Sequence, residues 1–588
     1  MITLSCFVSR QSMLCIRTLR RNWAALMDVQ LSRVFYGSSE THDYVEDVVC
    51  KQEDINENEM KLLPLGDEGS KILLIKQKGE LHAIGTKCTH YGALLNTGAL
   101  GDGRVRCPWH GACFNIKTGD IEDYPGLDSL PCYKVSVDTA GLVRVRAKRT
   151  DLEINKRMKE MSARDPQNKK TVVIVGGGPA GAVCAETLRQ EGFTGQIVMV
   201  CKEDVVPYDR IKVSKVFDFD IQKAALRSPL FYNDHEIETK LGVEAIGLDT
   251  SQNFVKLSNN EDLKYDYLFT CTGGKPKMTS QPGSNLKNIF VMRNYTDSHG
   301  INSLLSPDKH VVILGTGFIG MEAAAACIGK CATVTVIGHN SAPLATIFGT
   351  DIGNRIKKEH ETKGVKFIKN SIKQFIPKEE GDVLAKVEFT DGQILPADIF
   401  IIGIGTTFYT DWLKESHIQM NDNGTIPVNK YLRTNIENVY AGGDIAYAPI
   451  YECDDILAAI GHYSLAHYHG KIAALNICGK ETPLRSVPFF WTNLFGKNYR
   501  YAGYGKPTAI KIHGSLDNLE FFAYYLKDSK VIGMSSVNAD PVVSDFANLL
   551  YEGNTLTEEE INTNPFGWMK NKPKDVSMRF KDSILVDP

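Results

Sequence analysis

Two segments 139 positions apart repeat one pattern, and that repeat limits the fold more than any other feature. Residues 171–181 read Thr171-Val-Val-Ile-Val-Gly176-Gly-Gly178-Pro-Ala-Gly181; residues 310–320 read His310-Val-Val-Ile-Leu-Gly315-Thr-Gly317-Phe-Ile-Gly320. Each is a short buried strand running into G-x-G-x-x-G and then an Ala-rich helix. The first glycine permits a tight turn, the second lets a pyrophosphate reach the backbone, and the third lets helix pack on strand. Gly176, Gly178 and Gly181 form the first turn, with Pro179 and Ala180 opening its helix. Gly315, Gly317 and Gly320 form the second, with Phe318 and Ile319. Two copies predict two doubly wound α/β units holding two nucleotides that face each other. Glu203, just beyond the strand-like residues 196–200, is the acid expected to bind the first ribose.

Upstream, residues 44–148 have short strand-like runs between Gly- and Asp-bearing turns, which predicts a small all-β domain. Within it stand Cys88-Thr-His90 and Cys107-Pro-Trp-His110. Two thiolates and two imidazoles also make a zinc set. Zinc fingers, however, usually open with two close Cys and close with two His, whereas each loop here gives one of each. That arrangement suits a Rieske [2Fe–2S] cluster, with two Cys on one iron and two His on the other. The stretch resembles Rieske domains, including residues 119–125 at the family's proline loop. The disulfide cysteines of high-potential members are replaced by Ala93 and Trp109, and their hydrogen-bonding Ser and Tyr by Ala112 and Phe114. A low potential follows, roughly −150 rather than +300 mV. Cys113 reads as a small buried residue.

Residues 171–485 resemble the FAD/NAD(P)-dependent pyridine nucleotide reductases. Pro207-Tyr-Asp-Arg210 with Ser214-Lys215 resembles the flavin-contacting loop. Thr270-Cys-Thr272-Gly273 resembles the A-T-G element beside FAD, and Ala441-Gly-Gly-Asp444 the element whose Asp binds the ribityl chain. With the β domain included, residues 45–588 resemble the Rieske-containing branch of the apoptosis-inducing factor family. That resemblance implies an aromatic cover for the isoalloxazine, Trp491, for which a core aromatic is the plain alternative. It also implies a Lys215–Glu322 ion pair beside the reacting flavin atom, for which Glu322 has a helix-dipole alternative. The cofactors implied are FAD, NADH or NADPH, and a Rieske [2Fe–2S] cluster.

Two departures shape the expected chemistry. Residues 205–219 lack the C-x-x-x-x-C of disulfide reductases, so electrons are expected to leave singly, through the cluster, to an unknown acceptor. The strand-like residues 333–337 end in Gly338-His339 where a ribose-binding Glu would stand, which leaves NADH and NADPH both open, with NADH favoured by the family. A redox-gated signalling role linked to apoptosis and a reductase component of an oxygenase system are the competing readings.

The organisation expected is multidomain: leader or transit peptide 1–43, all-β Rieske domain 44–148, linker 149–170, and FAD domain 171–305 and 429–486. A Rossmann-like NAD(P) domain 306–428 and a C-terminal α+β domain 487–588 complete it. The linker's charge and its Asp165-Pro166 suggest a solvated, flexible tether, with a partly helical segment as the alternative, that raises the local concentration of one domain at the other. Residues 1–27 have four Arg and no Asp or Glu, the composition of a mitochondrial transit peptide, with a cytoplasmic protein as the alternative. Net charge is −3, which gives no pull toward nucleic acid. Residues 311–329 are apolar apart from Glu322 but hold the second glycine turn, so no transmembrane helix is expected. A homodimer is compatible with all of this.

Overall fold

The structure is a computed structural model. It describes residues 43–588 except 67–68, 340–341, 452, 454–455 and 571–575. The expected transit peptide lies outside the described residues. The N-terminal β domain has a six-stranded antiparallel sheet whose outer strands are Tyr44–Lys51 and Glu59–Pro64. A four-stranded antiparallel sheet follows in chain order, Ala99–Gly101, Arg104–Arg106, Cys113–Asn115 and Ile121–Asp123. The Cys107–His110 loop is the connection between its two middle strands, and the Cys88–His90 loop precedes its first.

Both glycine turns fold as strand, turn and helix in parallel sheets of five strands. Thr171–Val175 lies central in the first, between Gln196–Cys201 and Tyr267–Thr270, and leads into the helix Pro179–Gln190. His310–Leu314 holds the same place in the second and leads into Phe318–Cys327. Backbone contact explains the glycines. A Cβ on Gly181 would stand 2.1 Å from the Gly176 carbonyl oxygen, and one on Gly320 2.0 Å from that of Gly315. Strand Ile289–Val291 pairs with Ile399–Ile402 in the second sheet, upstream of residue 306. The C-terminal domain is a six-stranded antiparallel sheet carrying the helix Val542–Tyr551.

The linker departs from expectation. Arg149–Ile154 is a short helix, and Asn155 caps it in the left-handed conformation. The Asn155 side chain accepts from the Thr86 amide (2.7 Å) and donates to the Lys87 carbonyl (2.7 Å). Arg157 and Ser129 exchange backbone bonds, and Ser162 and Asp165 pair with Arg189 and Thr194 of the FAD domain. Part of its polarity serves bonds to both neighbours while the rest faces water, so it is a strap fixed at several points.

The β domain is welded to the rest. One apolar core runs from Leu73 and Phe114 into Val172 and Ala185 of the first α/β unit. Arg106, fully buried, donates from Nε to Asn548 Oδ1 (2.9 Å) and from Nη1 to the Gly111 carbonyl (2.8 Å) and Asp123 (3.2 Å). Asn548 in turn donates to the Ala99 carbonyl (3.2 Å) and Ser486 to Asp123 (3.2 Å). Truncating Arg106 would leave the Asp123 carboxylate buried without its ion-pair partner. Arg106→Met should lower stability by about 3–5 kcal/mol in denaturant titrations. Arg106→Lys should recover little of this, because one ammonium cannot span the three acceptors.

Candidate functional site

A cavity of about 710 Å³ opens where the two α/β units and the C-terminal domain meet. Its floor is the first glycine turn: Gly176, Gly178, Pro179 and Ala180 line it. Gly176 has φ +141°, and a Cβ there would fall 2.3 Å from the Cys271 carbonyl oxygen. A Cβ on Gly178 would meet nothing within 4 Å, so the backbone at the helix entrance is open to a ligand. Glu203 lies on the wall, accepting from the Tyr208 hydroxyl (2.8 Å) and ion-paired with Arg210. Thr272 and Gly273 line the opposite side beside Asp444, whose Oδ2 accepts from the Gly274 amide and Arg293, both at 3.2 Å.

At the far end, Gly317, Phe318, Ile319 and Glu322 bring the second glycine turn to the same cavity. Gly315 instead lines a second cavity of about 520 Å³, with Gly338 and His339. Gly181 and Gly320 serve helix–strand packing. Lys215 Nζ stands 2.8 Å from Glu322 Oε1, which also accepts from Thr492 (2.6 Å), while Ser214 donates to Oε2. No acid lies in the first turn of the Phe318–Cys327 helix, and Glu322 is buried on the cavity side. Helix-dipole compensation is therefore not what holds it.

Trp491 shows how one strand serves two partners. Side chains alternate along Phe489–Leu494. Phe490 and Thr492 point toward the second α/β unit, at Phe318 (ring centroids 5.4 Å) and Glu322. Phe489 and Trp491 meet the Cys107–His110 loop. Gly111, at φ +78°, leaves room for Phe489, whose ring a Cβ there would meet at 2.8 Å. Trp491 lines the large cavity and packs on His110 (4.5 Å between centroids) and His90 (6.3 Å).

Behind Trp491 the four expected ligands converge. His90 and His110 face each other through Nδ1, 3.1 Å apart. The Cys88 thiol is pushed well up, first by its hydrogen bond with Cys107 and then by burial. Cys107 is lowered: burial opposes this, but the Cys88 thiol and the Trp109 and His110 amides win. Burial lowers His90 to about 3 and His110 well below the usual value, so both rings stay neutral and free to ligate. Thiol meets thiol and imidazole meets imidazole, the pairing that two irons need. The donor set fits a [2Fe–2S] cluster held by Cys88, Cys107, His90 and His110. Cys113 is fully buried. Cys271, at the cavity wall, has its thiol raised by burial.

Several residues were not legible beforehand. Arg293, Trp412, His462 and Tyr463 line the large cavity from loops and a helix start that carry no motif. Tyr91 stacks on His90 (3.8 Å, 16°) and donates to Asp209 in the flavin-contacting loop, tying the two domains at the ligand itself. Its position next to His90 was the available signal.

Fold and site define an FAD-dependent NAD(P)H oxidoreductase that carries its own Rieske [2Fe–2S] module. Residues 170–470 match the family "Pyridine nucleotide-disulphide oxidoreductase", and residues 46–134 match "Rieske [2Fe-2S] domain". The chain belongs to the pyridine nucleotide-disulphide oxidoreductase family. Apoptosis-inducing factor 3 of Mus musculus is 37% identical over 543 residues, 90% of this chain and 89% of that protein; the Homo sapiens protein aligns equally well. Rhodocoxin reductase of Rhodococcus erythropolis is 30% identical, covering 63% of this chain and 86% of its own. The crystal structure of the covalent putidaredoxin reductase–putidaredoxin complex has the same fold (TM-score 0.65, 24% identity, 70% of this chain and 99% of that one).

The helix Tyr463–Ile477 lies beneath the cavity, so close to Pro179–Gln190 that a Cβ on Gly470 would stand 2.2 Å from the Ala180 carbonyl oxygen. Burial holds its His467 and His469 at about 4. Unfolding lets both return toward 6.5, so between pH 4 and 6.5 the unfolded chain binds more protons. Stability should be full above pH 6.5 and fall toward pH 4 by about 1.4 kcal/mol per unit for each histidine. His469→Asn should flatten that slope by one proton in denaturant titrations across the range.

Proposed function

We propose that this chain passes electrons from NAD(P)H through FAD to its own Rieske cluster and then to a separate acceptor. The observation that carries this is Trp491, which lines the nucleotide cavity and packs on both histidine ligands. When bound, FAD takes a hydride from NAD(P)H and yields electrons singly, and a [2Fe–2S] cluster accepts one at a time. The chain's residues supply position and charge. Gly176, Gly178 and the helix start at Pro179 hold a pyrophosphate; Glu203 and Asp444 address hydroxyls. The second glycine turn holds the nicotinamide nucleotide against the same cavity. Lys215, anchored on Glu322, keeps a fixed cation at the reacting end, where it favours negative charge as the hydride arrives. Trp491 excludes water between the cavity and the histidines.

The second cavity does not itself choose between NADH and NADPH. Its described lining has no Asp or Glu for ribose hydroxyls and no Lys or Arg for a 2′-phosphate, only His339. We read NADH as the donor, on family grounds. The similarity to rhodocoxin reductase supports service as the reductase for a separate partner, and a reductase component of an oxygenase system is the competing reading. The relatives named apoptosis-inducing factor 3 support a link to cell death. Mitochondrial residence rests on the acid-free, Arg-bearing residues 1–27.

Anaerobic NADH added to the loaded protein should first bleach flavin absorbance and then raise a Rieske-type electron paramagnetic resonance signal. Trp491→Ala should leave bleaching within about twofold and slow the second signal at least about tenfold. Equal rates would remove Trp491 from the route. A full signal in His110→Ala would overturn the cluster assignment.

A further inference from the structure

The ligand loops have one face against Trp491 and another in solvent. On the solvent side stand three large side chains, Tyr91, Leu94 and Trp109, each more than 40% exposed. All three belong to the ligand loops themselves: Tyr91 and Leu94 follow His90, and Trp109 precedes His110. Tyr91 and Trp109 lie 5.5 and 6.3 Å from the His110 ring between centroids. Exposed apolar side chains gathered around half-buried histidines and buried cysteines mark a contact surface more than they mark solubility.

The rim of this patch is basic. Lys87 pairs with Leu94 through a β-bridge. Asn155 bonds both the amide and the carbonyl of Lys87, and Lys156 follows it directly. Lys212 lies beside Asp209, the acceptor of Tyr91. Lys87 and Lys156 are exposed, and none of the three lysines has a carboxylate within 4 Å among the described residues. Two carboxylates near the ligand loops are occupied: Asp209 accepts from Tyr91, and Asp540 is held by Arg500 (2.7 Å), which also donates to the Trp109 carbonyl (2.9 Å).

We propose that Tyr91, Leu94 and Trp109, with Lys87, Lys156 and Lys212 at the rim, form the docking surface for an acidic one-electron carrier protein. The proposal rests on the electron route given above and names the chemistry of its last partner. An apolar centre with a charged rim is the anatomy of a protein interface, and unpaired lysines select and steer a partner of opposite charge. Docking there sets the partner's redox centre over the ligand loops, so that one electron leaves this chain and one enters the carrier. The lysines act on encounter, and Lys87 and Lys156, the two that the test changes, lie outside the lining of the large cavity.

The test uses the protein loaded with FAD and cluster, titrated calorimetrically with cytochrome b5 as acidic probe and cytochrome c as basic probe. Cytochrome b5 should bind, more tightly at about 20 mM than at about 200 mM salt, and more tightly than cytochrome c. Lys87→Glu with Lys156→Glu should weaken it at least about tenfold. Leu94→Asp, which leaves the lysines intact, should also weaken it. Absence of cytochrome b5 binding, tighter binding of cytochrome c, or indifference to both variants would overturn the surface. Cluster reduction by NADH, read by paramagnetic resonance in the same samples, separates the two readings. A reduced cluster without binding defeats the docking surface alone, and an unreduced cluster defeats the electron route alone.

Discussion

The packing of His90 and His110 against Trp491 is the constraint from which the rest of this structure follows. A tryptophan that lines the large cavity and also touches the two histidines expected to bind the cluster requires two domains to be held at fixed distance. The welds supply that: Arg106 and Asn548 on one flank, Tyr91 and Asp209 on the other, and the strap of residues 149–170 behind. Each bond is modest by itself. Together they bury charged groups that would be costly to leave unpaired, so partial undocking is penalised at several points at once.

The strand Phe489–Leu494 joins the two halves of the chemistry through its period of two. Phe490 and Thr492 reach the second α/β unit, where Thr492 shares Glu322 with Lys215. Phe489 and Trp491 reach the ligand loops. A change at either face is therefore felt by the other through the backbone. Gly111 completes the fit, because its left-handed conformation and missing Cβ admit the Phe489 ring.

Much of this was legible in the sequence for a physical reason: ligands that need backbone approach or metal donors demand particular residues at particular spacings. The glycine turns at Gly176 and Gly315 and the donors Cys88, His90, Cys107 and His110 are such cases. Lys215 and Glu322 are 107 positions apart in sequence, and the resemblance alone brought them together; the structure sets them at 2.8 Å. The strap misled because Lys, Arg and Asp read alike whether they bond water or a neighbouring domain's carbonyl. Arg293, His462 and Tyr91 were hidden because a side chain's role at a domain junction depends on the partner surface. Local pattern does not encode that surface.

In the route proposed, electrons cross between the domains of one molecule in its docked arrangement. Stopped-flow reduction by NADH, with the cluster followed separately from the flavin, tests it across about a hundredfold range of protein concentration. A docked arrangement predicts a first-order rate constant for cluster reduction that does not change with dilution. A rate that falls in proportion to protein concentration would mean that electrons travel between molecules, and would rule out the intramolecular route.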